Sequence, residues 1–78
     1  MIDEFANDLA NQMGVELSKV LLTDGSLLGC RDAYILDMWA NDRITSTIIF
    51  EADIGNLKNN TGSARLEVRI RSALSRLQ

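Results

Sequence analysis

Hydrophobic positions fall into two rhythms along this chain. Ile2, Phe5, Ala6, Leu9 and Met13 recur at three- and four-residue spacing, which predicts an amphipathic helix over 2–13. Asp3 and Glu4 lie in its first turn, where the helix dipole favours acids, and Gly14 is placed to stop it. From Val15 the period falls to two. Val15, Leu17 and Val20-Leu21-Leu22 predict a strand, and Asp24-Gly25 is a tight-turn signal. Leu27-Leu28 and Tyr34-Ile35-Leu36 resume the apolar pattern, with Gly29 marking a bend or bulge. Ala40-Asn41-Asp42 reads as a second turn. Ile44, Ser46, Ile48, Phe50 and Ala52 then alternate with Thr45, Thr47, Ile49 and Glu51, a strand with one face in the core.

The last third carries two competing patterns. Gly55 to Ser63 is rich in turn formers and reads as a polar loop. Ala64, Leu66, Val68 and Ile70 alternate with Arg65, Glu67, Arg69 and Arg71, which is a strand pattern. Leu66, Ile70, Ala73, Leu74 and Leu77 also share one face of a helix. The strand is favoured because all four alternating apolar residues lie on one side and two are β-branched. Ser72–Leu77 then reads as a fifth strand. The expected fold is mostly β: an N-terminal helix over 2–13 followed by a strongly bent five-stranded small barrel over 15–78, in one domain of 78 residues.

Composition narrows the function. The chain has no histidine and one cysteine, Cys30, so it lacks the usual general base, the common zinc sets and any internal disulfide. No catalytic residue, metal or cofactor is expected. One unpaired cysteine, an acidic N-terminus and no long apolar run point to a cytoplasmic protein without a membrane span. A core this small, with no disulfide or metal, raises the expectation of self-association. The net charge is −3, yet Lys58, Arg65, Arg69, Arg71 and Arg76 crowd the last twenty-one residues against the single acid Glu67. That strip is either a solvated face or a phosphate contact.

Three stretches carry a family resemblance. Val20 to Gly29 looks like an opening strand pair with an Asp-Gly turn. Asp37-Met38-Trp39-Ala40-Asn41 looks like a motif of Asp, aromatic, Met and Asn. Val68-Arg69-Ile70-Arg71-Ser72 looks like an apolar-Arg-Gly ending. Together they resemble the Sm/Lsm (Sm-like) family, with Ala40 where the family has Met and Ser72 where it has Gly. The resemblance implies a helix-capped bent barrel, assembly into a homo-oligomeric ring of roughly five to seven subunits through free strand edges, and binding of single-stranded RNA or DNA.

In that reading Asp37 orients Asn41, which reads a base edge, while the base stacks between Trp39 and Arg71. Arg69 and Arg65 contact phosphate from the same strand side. The competing reading is a non-enzymatic structural or assembly subunit that acts through protein–protein contacts only, and the acidic total favours it.

Overall fold

The computed structural model describes residues 2–29, 31–58 and 64–78; Cys30 and the 59–63 part of the expected polar loop lie outside them. The elements run in order α1 (Ile2–Gln12), β1 (Lys19–Asp24), a short 3₁₀ turn (Gly25–Leu28), β2 (Ala33–Ala40), β3 (Arg43–Phe50), α2 (Glu51–Lys58) and α3 (Ala64–Ser75). The strands form one antiparallel sheet in the order β1-β2-β3. The expected five-stranded barrel is therefore not the fold. Among the described residues there are three strands, too few to close, and the segments expected to supply the fourth and fifth strands are helical.

α1 forms as its pattern predicts. Ile2, Ala6, Leu9 and Ala10 are buried. Gly14, at φ 73°, takes the left-handed turn that ends the helix. The Val15 N–H donates to the Ala10 carbonyl at 2.8 Å and the Gly14 N–H to the Asn11 carbonyl at 3.2 Å, which satisfies two of the last free carbonyls.

The two turn signals resolve differently. Asp24-Gly25 does not make a two-residue hairpin. The Asp24 carboxylate instead accepts from the Ser26 N–H at 2.9 Å and caps the 3₁₀ turn, which Gly29 closes at φ 81°. Asn41 and Asp42, at φ 52° and 64°, do make a two-residue hairpin, closed by the Ala40–Arg43 pair. Two successive left-handed residues match the twist of the flanking strands, and Asn and Asp tolerate them best after glycine.

Both expectations for the C-terminal third are corrected. Residues 51–58 are a helix, so the expected strand ends at Phe50, two residues before Ala52, and 55–58 are not loop. The Phe50 N–H donates to Asp53 Oδ2 at 3.1 Å, tying the first turn of α2 to the end of β3. Residues 64–75 are also a helix, with a turn beyond it. The alternation spans only eight residues, whereas the helical face continues through Ala73, Leu74 and Leu77, all buried. Burying that longer face decides the contest. Ala64 and Val68, the two alternating residues off it, are left exposed, Val68 at 63%.

α1 and α3 cover one face of the sheet. Leu36, Met38 and Ile49 from the strands meet Leu9, Leu66, Ile70 and Leu74 from the helices in one cluster. Each large aliphatic side chain buried this way contributes about 1.5–3 kcal/mol before the entropy of ordering it. On β3 the covered side is that of Thr45, Thr47 and Ile49. Ile44, Ser46, Ile48 and Phe50 point the other way and are exposed. No helix among the described residues is long and apolar enough to cross a membrane.

Candidate interaction face

Strand register builds the uncovered face row by row. Trp39 lies between Lys19 and Ile44, Asp37 between Leu21 and Ser46, and Ile35 between Thr23 and Ile48, while Phe50 pairs with Ala33. Side chains two residues apart on a strand share a face, so all of these emerge together. Ile44 stays 55% exposed, Ile48 49%, and Leu21 and Phe50 43% each. Large aliphatic and aromatic groups are thus held at half exposure on this face, with Asp37 and Ser46 in the row between Ile44 and Ile48.

The polar groups on this face are tethered within the chain. The Ser46 hydroxyl donates to the Asp37 carboxylate across the β2–β3 pair. The Lys19 ammonium sits 5.0 Å above the Trp39 ring. At the rim, the Arg69 guanidinium stacks 4.7 Å from the Phe50 ring while donating to Asp53 at 2.7 Å. Asp53, buried at the start of α2, thereby joins β3, α2 and α3 at one point.

The expected site residues are divided between the two sides of the molecule. Asp37 and Trp39 share the open face. Asn41 sits in the hairpin turn, and the hydroxyl that holds Asp37 comes from Ser46. Arg71 lies in the helical layer on the far side of the sheet. It donates to Gln12 Oε1 at 2.6 Å and pairs with Glu67 at 3.7 Å. The cation over Trp39 is thus Lys19, and Trp39 and Arg71 are not brought together.

Arg65, Arg69 and Arg71 do not share one side, because a helix replaces the expected strand. Arg65 and Arg69, four residues apart on α3, line one shallow groove with Ala64 and Val68, with Arg69 also reaching Phe50 and Asp53, while Arg71 turns toward α1. Sequence reasoning missed Lys19, Leu21, Ser46 and Ile48. The usable signal was the run Ile44-Thr45-Ser46-Thr47-Ile48-Ile49, which places isoleucines on both faces. Such a strand is covered on both sides or waits to be.

A separate cleft at the β1–β2 end is lined by Asp24, Arg31, Asp32, Tyr34 and Glu51. Among the described residues no three acidic or cysteine side chains are grouped to hold a metal ion. Comparison with protein families, with curated proteins and with solved structures returns no match.

Proposed function

We propose that this chain is a non-enzymatic contact module of the cytoplasm that joins a protein partner through the open face of its sheet. The observation that carries this reading is the half exposure of Leu21, Ile44, Ile48 and Phe50 on the side of the sheet away from the core. Large apolar groups exposed together on one face are costly to leave in water and mark interaction sites. The face has one cation and one carboxylate, so apolar burial drives docking there and charge plays the smaller part. The test is an apolar reporter dye added to submicromolar protein. The dye binds the parent, and binding falls sharply in Ile44→Lys/Ile48→Lys. Equal binding by parent and variant removes the face as an interaction surface.

A second reading keeps single-stranded RNA as the partner. It is supported by Trp39, whose ring stands on an open sheet beside a lysine, as a stacking platform for a base requires. Under this reading a short oligonucleotide binds, weakens steadily with added salt, and is lost in Trp39→Ala. Absence of binding at low salt overturns it. The face's carboxylate and the net charge of −3 place this reading second.

A further inference from the structure

We propose that the free edge of β3 takes up an extended segment of a partner protein, which joins the sheet as a further strand alongside Ile44, Ser46 and Ile48. The proposal rests on the reading of this chain as a contact module and names the form in which the partner arrives.

The Asn41-Asp42 turn sets which backbone groups of β3 are free. A two-residue turn makes Ala40–Arg43 a hydrogen-bonded pair, and such pairs recur at every second residue: Met38–Thr45, Leu36–Thr47 and Tyr34–Ile49. The residues between them aim their N–H and C=O groups away from β2. Phe50 shows the direction, since its outward N–H is taken by Asp53 at 3.1 Å. Ile44, Ser46 and Ile48 differ from it. Among the described residues no group bonds to their backbone N–H or C=O. A row of alternating donors and acceptors has one natural complement, an extended backbone about 4.8 Å away. A helix does not match that spacing, and a nucleic acid has no such row.

Nothing in the strand blunts this edge. Native sheets guard their edges with proline, bulges or charge. From Ile44 to Phe50 the strand reads Ile-Thr-Ser-Thr-Ile-Ile-Phe, with no proline and no charge, and its register with β2 is unbroken. The other edge strand, β1, is shorter and carries Lys19 and Asp24 at its two ends.

The extent of the edge selects the occupant. The free row stops at Phe50, where Asp53 and Arg69 close it. A second copy of β3 that satisfied all three residues would pair Ser46 with Ser46, and would carry its own hairpin turn onto the closed Phe50 end. A single extended segment ends where the edge ends. Ile44, Ser46 and Ile48 emerge on the open face, and Thr45 and Thr47 on the opposite one. The segment that fits therefore alternates, with β-branched apolar residues along the isoleucines and hydroxyl residues along the threonines. Asp37 stays in water, because a strand added at the edge lies beside the face and does not cover it. Backbone bonds supply the affinity in such strand addition, and the alternating side chains supply the selectivity.

The probe is a peptide of about six residues with blocked termini, alternating valine and threonine. Amide hydrogen exchange followed by NMR is the readout. In the free parent the amides of Ile44, Ser46 and Ile48 exchange fast, and saturating peptide protects all three. The same peptide N-methylated along its bonding edge keeps its side chains and loses binding. Ser46→Pro removes an outward N–H that the pairing with β2 does not use, so the sheet persists and peptide affinity falls roughly tenfold or more. Ser46→Ala keeps that N–H and binds like the parent. The methylated peptide decides the case even where the proline costs the fold. The proposal is overturned if millimolar peptide protects none of the three amides, if the methylated peptide binds equally, or if a folded Ser46→Pro binds like Ser46→Ala. Dimerisation of the parent that Ser46→Pro abolishes also overturns it, since the edge then belongs to a second copy. Failure of the peptide with intact dye binding removes the added strand alone; loss of the dye signal as well removes the contact-module reading with it.

Discussion

The Lys19 ammonium lies 5.0 Å above the ring of Trp39, its directly paired neighbour across β1 and β2. The contact joins the edge strand to the central strand on the side of the sheet that the core does not reach. A cation over an exposed ring contributes about 0.5–1 kcal/mol. Lys19→Ala is therefore expected to lower stability by about that amount and to shift the emission of Trp39, the only tryptophan. Urea unfolding followed by that emission reads both effects together.

Thr45 is buried, and its hydroxyl has no hydrogen-bond partner among the described residues. Thr45→Val keeps the shape and removes the unsatisfied group. It is expected to stabilise the chain by about 1 kcal/mol, seen as a higher urea midpoint with an unchanged slope.

At Gly14 the space around an added Cβ is open, so only its φ of 73° resists substitution. Gly14→Ala should cost about 1–2 kcal/mol. Gly14→Asn should cost less, because asparagine tolerates the left-handed region. Equal melting temperatures for all three proteins would show that α1 does not need this stop.

Asp53 accepts from both the Phe50 N–H and Arg69. Asp53→Ala should cost about 1–3 kcal/mol, more than Arg69→Ala, since it also strands a backbone donor. A double-mutant cycle on the pair should return a positive coupling, read by thermal unfolding.

Truncation after Arg71 deletes Ala73, Leu74 and Leu77, all buried in the one core. The shortened chain is expected to lose its cooperative melting transition in circular dichroism. A sharp transition in that protein would place the end of α3 outside the stabilising core.

The sequence made some elements readable and hid others for identifiable reasons. α1 was legible because five apolar positions, two first-turn acids and one glycine agree on a single helix. β3 was legible from its alternation and the Asn41-Asp42 turn from its residue types; β1 and β2 were legible as apolar runs, but Val15 and Leu17 precede β1, and Leu27-Leu28 belong to a 3₁₀ turn rather than to a strand. The C-terminal helix was misread because eight residues of Ala64 to Arg71 satisfy a period of two and a helical face equally well. Only the continuation through Ala73, Leu74 and Leu77 separates them, and Ser72–Leu77 is short enough to read as a further strand. α2 was hidden by Gly55 and Asn56, poor helix formers held in place by the Asp53 contacts to Phe50 and Arg69. Asp37 and Trp39 could be put on one face from their spacing alone. Their partners Ser46 and Lys19 follow from strand register, which is set by turns and tertiary packing rather than by local pattern.

The position of α3 in the chain also shapes how the molecule comes into being. Leu66, Ile70, Ala73, Leu74 and Leu77 are synthesised after all three strands. On the ribosome, the β2–β3 hairpin can pair as soon as it emerges, since its contacts are local. Until α3 follows, however, the nascent sheet shows apolar side chains on both faces, Leu36, Met38 and Ile49 on one and Ile44, Ile48 and Phe50 on the other. Such a two-sided intermediate is open to misassembly and is a natural client for a chaperone. Docking of α3 closes one face, and only then is the other the sole apolar side left to choose a partner.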